Sequence, residues 1–387
     1  MEAIGSVEAE RTAWYRRHWR WLAAAGVDLV VALAIGAALS WHFSSRVLVP
    51  DHSSWAPEVE VEGLPPGRIV FERTEDSERP GVYGLEWLGG HAIAGAVVDS
   101  DEETVTRRLR DVSGYLTPGM DVGVESYVFP GDPRQAFGIP FAEVDVPDEL
   151  GPMPAWSIPG RGDTWAIVVH GINSNPRVGL RVVPALRRAG LPTMAITYRE
   201  DLGAPPSPDG YHHMGLTEWR DLAAAARYAL AHGARRLILV GYSMGGSLVT
   251  QFMQRSPMAP RVTGLVLDAP VLNWQRVLEF NATEMGLPGF MARPVEWAIG
   301  ARIDADWESL DALRHTDDLR LPILLFHGDD DEVVPIETSE ELAAALPRWV
   351  EYHRAPEAGH VEAWNVAPRL YERRLRAFLA AIRGSNP

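Results

Sequence analysis

The sequence predicts an α/β protein with a mostly parallel sheet flanked by helices, preceded by a hydrophobic N-terminal helix and a small β-rich region. Three observations carry this. From about residue 141 onward, short apolar runs alternate with helical patterns. The run Leu237 to Val240 leads directly into Gly241, Tyr242, Ser243, Met244, Gly245 and Gly246. Upstream, Trp21 to Trp41 is a stretch of 21 residues in which Asp28 is the only charge.

Taken in order, residues 1–20 form a tail carrying Arg11, Arg16, Arg17 and Arg20. Residues 21–43 have the length needed to cross a hydrocarbon core of about 30 Å. Trp14, Trp19, Trp21 and Trp41 stand where interfacial aromatics would anchor the ends, and the arginine excess before the span leaves the N-terminus cytoplasmic and the remainder extracytoplasmic. Asp28 opposes this reading, since a charge at a helix centre costs about 2.5–3.5 kcal/mol. A cleaved signal peptide ending near Ala38, Leu39 and Ser40 and a soluble helix docked on the protein are the alternatives.

Residues 50–140 are rich in turn signals and short β-type runs at Arg68 to Phe71, Val82 to Trp87, His91 to Val98 and Val122 to Phe129. Leu88, Gly89 and Gly90 mark a hairpin turn. Residues 141–387 then open with an antiparallel pair, Phe141 to Val146 and Ala155 to Ile158, and continue through strand Trp165 to His170. Helix Arg177 to Arg188, strand Thr193 to Tyr198, helix Thr217 to His232 and strand Leu237 to Val240 lead to the Ser243 turn. Beyond it lie strand Val262 to Leu267, an insertion of 45 residues at 274–318 and strand Ile323 to His327. Helix Glu337 to Ala345, strand Trp349 to His353 and helix Pro368 to Ile382 complete the pattern.

Composition narrows the chemistry. A hydrophobic content of 46% and a charged content of 23% belong to a folded protein. A net charge of −16 offers no basic groove for nucleic acid. The absence of cysteine removes disulfides, thiolate nucleophiles and Cys-ligated metal sites.

A strand that turns at once into a helix forces its apex residue into a strained conformation, so the residues two before and two after the apex must be small. Gly241 and Gly245 fill those places, which makes Ser243 a candidate nucleophile with the Met244 N–H opening a helix beside it. A serine hydroxyl needs a base, itself oriented by an acid. Of the 12 histidines, His360 follows the last strand in the small-residue turn Ala358 to Val361 and is the candidate base. His353 reads as part of a strand, and His327 as a turn with Gly328. The acid is expected in the loop Gly328 to Pro335, where Asp331 is chosen and Asp329 and Asp330 are taken as turn formers. Such an acidic run also reads as a solvated loop or a calcium site. Asp268 is the rival acid. The loop His170 to Asn175 supplies the second oxyanion donor, the Ile172 N–H, alongside that of Met244.

Together these residues resemble the α/β-hydrolase superfamily over residues 141–387. The resemblance rests on His170-Gly171-Ile172-Asn173, Gly241-Tyr242-Ser243-Met244-Gly245-Gly246, His327-Gly328 through Asp331 to Pro335, and Gly359-His360, in the chain order Ser, Asp, His. It implies an eight-stranded sheet, a Ser-His-Asp triad, no cofactor and no metal, and hydrolysis of carboxylic esters. Within the superfamily the sequence looks most like membrane-anchored hydrolases of the ABHD or BEM46 type.

The expected partners are a small-molecule or lipid acyl ester and a membrane reached through the N-terminal helix. The insertion 274–318, with Trp274, Phe280, Phe290 and Trp297, is expected either to cap the serine or simply to pack on the sheet. The loop Gly203 to Gly210 with His212 and His213 lines the mouth or is bare surface. An acyltransferase or a peptidase would use the same triad, and a silent scaffold would use none of it.

Overall fold

The computed structural model describes residues 2–53 and 59–384; the side chains at 22, 24–27, 29 and 32, and most of those before 21, lie outside the description. One continuous helix, Glu2–Leu48, takes up 47 residues, about 70 Å at 1.5 Å per residue. Among the described residues no helix is long and apolar enough to cross a membrane. The transmembrane anchor expected at 21–43 is therefore not borne by the structure as a separate element. The helix runs through both of its expected boundaries, and its C-terminal turns are committed to protein packing. Ser40, Ser44 and Leu48 are buried. Arg302, on the helix Arg293–Ile303, donates to the Ser44 and Ser45 hydroxyls at 2.8 Å each. Trp41, expected at a lipid interface, stacks instead on the Arg302 guanidinium, 4.5 Å from the ring centroid.

The β-rich region is a closed six-stranded barrel of β1 (Val59–Gly63), β2 (Arg68–Glu72), β3 (Tyr83–Trp87), β4 (Gly90–Ser100), β5 (Thr104–Ser113) and β6 (Asp121–Glu125), in the order β1-β2-β5-β4-β3-β6. Alternation builds its core: Val59 and Val61, Ile69 and Phe71, and Tyr83, Leu85 and Trp87 point inward while residues between them face out or sideways. The Leu88-Gly89 turn joins β3 to β4, with Trp87 paired to Gly90 and Gly89 at φ 78°. Closure leaves no free edge.

Eight further strands form one sheet: β7 (Ala142–Pro147), β8 (Pro152–Ile158), β9 (Thr164–Val169), β10 (Thr193–Ile196), β11 (Arg236–Tyr242), β12 (Val262–Asp268), β13 (Ile323–Gly328) and β14 (Val350–Ala355). Their order is β14-β13-β12-β11-β9-β10-β8-β7. The pairings from β10 through β9, β11, β12 and β13 to β14 are parallel. β8 and β7 add antiparallel at one edge, so the sheet is mixed rather than uniformly parallel. The central strands are buried on both faces and read as continuous apolar runs, as Leu237–Val240 and Ile323–Phe326 do. One core lies on the face of the helices Trp219–Ala231 and Met244–Arg255, the other on the face of Val183–Arg188 and Pro368–Gly384.

The helix expected over Arg177 to Arg188 is broken. Pro176–Arg181 is a 3₁₀ turn and only Val183–Arg188 is α-helical, consistent with Pro184 lacking the N–H that a continuous helix would use. The insertion forms the helices Trp274–Glu284 and Arg293–Ile303 around a short turn at Gly289–Ala292. Trp274, Val277, Leu278 and Ile299 join the main core, whereas Phe290 and Trp297 stay exposed.

Candidate active site

β11 ends at Tyr242 and the helix Met244–Arg255 begins one residue later, so Ser243 alone makes the turn. Its backbone lies at φ 50°, ψ −121°, a conformation that costs an ordinary residue on the order of 1–3 kcal/mol. Three backbone bonds hold it: Ser243 N–H to the Asp268 carbonyl at 3.1 Å, and the Val271 and Gly246 N–H groups to the Ser243 carbonyl at 3.0 and 2.9 Å. The flanking glycines are dictated by close approach. A Cβ on Gly245 would lie 2.4 Å from the Val169 carbonyl oxygen, and one on Gly241 2.8 Å from that of Gly245.

His360 and Asp331 meet Ser243 from loops beyond β14 and β13. The Ser243 hydroxyl and His360 Nε2 are 2.9 Å apart, and His360 Nδ1 is 2.8 Å from Asp331 Oδ2. With the proton on Nδ1, the imidazole donates to the carboxylate and accepts from the hydroxyl. Asp331 is buried and well partnered: Val333 and Val334 N–H groups each donate to its Oδ1 at 2.9 Å. Burial works to raise its pKa, but the charge and hydrogen bonds of His360 and His327 outweigh burial and hold the carboxyl well below its usual range.

His327, expected as a structural turn with Gly328, also contacts the acid. Its ring is fully buried: Nε2–H donates to the Val334 carbonyl at 3.0 Å and lies 3.2 Å from Asp331 Oδ2, while Nδ1 shares a bond with Ser339 Oγ at 2.7 Å. A histidine at the end of an apolar strand, four residues before an acid in the same loop, was the available signal. The other carboxylates in the run do different work. Asp329 accepts from the Glu357 N–H at 2.7 Å and pairs with Arg354 at 3.2 Å. Among the described residues no acidic or histidine cluster is arranged to hold a metal ion.

Asp268, the rival acid, ends β12 beside the serine, and its buried carboxylate has the Tyr371 hydroxyl as a neighbour and no hydrogen bond to His360. Burial raises its pKa to about 6, against the opposing pull of Arg181 and of the Tyr371 hydroxyl. A carboxyl whose folded pKa exceeds the unfolded value binds a proton on folding, so stability falls as pH rises from the unfolded pKa of about 4 to about 6. Thermal melts should therefore show Asp268→Asn losing this part of the pH dependence and gaining most, relative to wild type, above pH 6. Equal pH dependence in the two proteins would refute the assignment.

The oxyanion loop follows β9. Gly171 runs so close to the serine that a Cβ there would lie 3.0 Å from the Ser243 Cβ. Ile172 follows Gly171 in this loop, and Met244 opens the helix Met244–Arg255 directly after Ser243. His170 is a structural residue, bonded through Nε2 to Asp201 at 2.9 Å. His212 bonds Asn173 Oδ1 at 3.1 Å, which also accepts from the Asp51 N–H at 3.0 Å just beyond the N-terminal helix.

A cavity of about 360 Å³ opens at His360. It is lined by Glu75, Glu78, Arg79 and Pro80 beside the barrel, and by Asp330, Glu332, Val333, Glu357, Gly359 and Glu362 from the acid and base loops. No residue of the insertion 274–318 lines it. The wall beside the base thus comes from the barrel side, where an apolar cap was one expectation.

Comparison with known proteins agrees with this architecture. A family model described as the prolyl oligopeptidase family matches residues 207–384, and a model described as a domain of unknown function (DUF8805) matches residues 60–125, the barrel. A pimeloyl-[acyl-carrier protein] methyl ester esterase of Vibrio atlanticus (strain LGP32) is 24% identical over 237 residues, 51% of this chain and 87% of that protein. The Pyrococcus furiosus esterase Pf2001 superposes with a TM-score of 0.52 at 19% identity, covering 66% of this chain and 95% of its own; a second crystal form gives 0.51 at 20%. These likenesses support a serine hydrolase of the α/β-hydrolase superfamily.

Proposed function

We propose that the protein cleaves carboxylic acyl esters through a Ser243-His360-Asp331 triad. The observation that carries this is the pair of hydrogen bonds, 2.9 and 2.8 Å, that joins the hydroxyl to the imidazole and the imidazole to the carboxylate. His360 Nε2 takes the hydroxyl proton as Ser243 Oγ attacks the acyl carbonyl; the proton then passes to the leaving alkoxide, which departs as the alcohol. Water, deprotonated by His360 in turn, attacks the acyl-enzyme, the acid is released, and Oγ regains the proton. The Ile172 and Met244 N–H groups receive the oxyanion of both tetrahedral intermediates. Asp331 fixes the tautomer and balances the charge that His360 acquires. No step calls for a cofactor.

The ester reading draws on the methyl ester esterase of Vibrio and the Pyrococcus esterase. The prolyl oligopeptidase match favours a peptidase as the second reading, and acyl transfer uses the same intermediate. Assaying p-nitrophenyl esters, short proline-containing peptides, and esters with added alcohols or amines separates the three. Free acid as the dominant product supports the proposal; peptide cleavage without esterase turnover, or acyl transfer in preference to hydrolysis, would overturn it.

The location we propose keeps the N-terminus cytoplasmic and the catalytic unit extracytoplasmic, in contact with lipid. The support is the arginine excess before residue 21, together with exposed Trp19, Trp21, Val30, Val31, Leu33, Ile35 and Leu39 along the N-terminal helix. A topology reporter fused after Pro387 is expected to read extracytoplasmic, and a cytoplasmic signal would contradict this.

A further inference from the structure

The ester-cleavage reading leaves the barrel without a role, yet the barrel meets the chain at the loop that carries His360. Glu362 follows the base by two residues, and its side chain is only 3% exposed. It is ion-paired with Arg79 and accepts from the Tyr83 hydroxyl at 2.9 Å. Both partners belong to the barrel region, Tyr83 as the first residue of β3 and Arg79 as the cap of the short helix Glu75–Glu78.

Three residues further on, Asn365 Nδ2 donates to the Val82 and Ser126 carbonyls at 2.8 Å each, and the Asn365 carbonyl accepts from the Val82 N–H at 3.0 Å. The approach is close enough to require Gly81, since a Cβ there would lie 2.5 Å from the Asn365 carbonyl oxygen. The barrel segment that makes these contacts is itself fixed by a buried arginine. Arg107 on β5 donates to the Gly95, Ser77, Arg79 and Gly81 carbonyls at 2.7–3.0 Å.

The base loop needs such a hold. Val361, adjacent to His360, lies at φ 59°, where a β-branched side chain is strained and relaxes unless its surroundings prevent it. Arg181 binds the Val361 carbonyl and Asn365 Oδ1, each at 2.7 Å. The barrel reaches the oxyanion loop as well, through Tyr127 Oη to Ser174 Oγ at 2.7 Å and the Glu86–Arg177 ion pair.

We propose that the barrel is a positioning element of the catalytic unit, and that Glu362, clamped by Arg79 and Tyr83, is the positioning residue through which it holds His360 on Ser243. Glu362 touches neither Ser243 nor the ring of His360 among the contacts described; it acts through the backbone of the loop. The inference rests on the triad reading. Loosening the loop shifts the base away from the hydroxyl, and a misplacement of about 1 Å can cost ~100-fold in rate. Binding of substrate should change little.

The test uses the full chain and two readouts: the second-order rate constant for labelling by a fluorophosphonate, which needs an activated serine, and kcat and KM for a p-nitrophenyl ester. Glu362→Gln, Tyr83→Phe and the double variant Arg79→Met/Tyr83→Phe are compared with the surface control Arg188→Ala, whose Glu372 pair lies on the exterior. Glu362→Gln and the double variant are expected to lose about 10–100-fold in labelling rate and kcat with KM nearly unchanged and folding intact. Arg79→Lys is expected to retain more activity than Arg79→Met. Should Glu362→Gln fail to fold, Tyr83→Phe, which removes one hydroxyl, and the double variant decide. Folded variants that label at the wild-type rate, or that raise KM alone, would overturn the proposal. A folded wild type that does not label at all would instead remove the triad reading, and this inference with it.

Discussion

Ser243→Ala is expected to lower ester turnover by about 10⁵–10⁶-fold, the scale seen when a triad serine is removed and only binding and the oxyanion donors remain. The effect should fall on kcat, because the hydroxyl is small and the carbonyl can still reach the Ile172 and Met244 N–H groups. The fold should survive. Ser243 makes its structural bonds through its backbone, to Asp268, Val271 and Gly246, and alanine keeps them. Alanine does bear the same positive φ that serine bears, so no large change in melting temperature is expected. Turnover within tenfold of wild type would place the chemistry on another residue.

Asp331→Asn is the second large effect, with kcat expected to fall about 10⁴-fold. An amide at this position cannot balance the imidazolium, and its NH₂ group, if turned toward Nδ1, would enforce the wrong tautomer. The loop itself has reason to stay in place, since the amide oxygen can still accept the Val333 and Val334 N–H bonds now made to Oδ1. Asp329→Asn should cost little in turnover, because Asp329 serves the Glu357 backbone and Arg354 rather than His360. The reverse ranking of the two variants would overturn the assignment of the acid. Asp268→Asn is a third point of comparison. Its carboxylate has no bond to His360, so its signature is the pH dependence of stability and not the loss of turnover.

What could be read from the sequence follows from where local sterics dictate spelling. The elbow at Ser243 was legible because close backbone approach leaves glycine as the residue that fits at 241 and 245. The central strands were legible because burial on both faces makes them continuous apolar runs. His360 and Asp331 stand in loops that follow late strands of the sequence pattern, and the structure brings both to Ser243.

Other features depended on partners distant in the chain. β5 carries Arg107, Arg108 and Arg110 and reads as polar, yet Arg107 is buried with its donors spent on four backbone carbonyls. Closure of the barrel in the order β1-β2-β5-β4-β3-β6 pairs strands that no short-range turn signal links. The expectation of a span at 21–43 rests on local composition alone; that Trp41, Ser44 and Ser45 meet Arg302 depends on a segment some 260 residues away. Glu362 gave no signal at all, because its meaning lies in Arg79 and Tyr83, which are 283 and 279 residues away in the chain.

The central claim is that Ser243 is an activated nucleophile. The most direct test is to label the purified full chain with a fluorophosphonate and map the adduct by peptide mass spectrometry, with Ser243→Ala in parallel. A single adduct on Ser243 that disappears in the variant is the predicted result. No adduct on folded wild-type protein, or an adduct on a different serine that persists in Ser243→Ala, would contradict it.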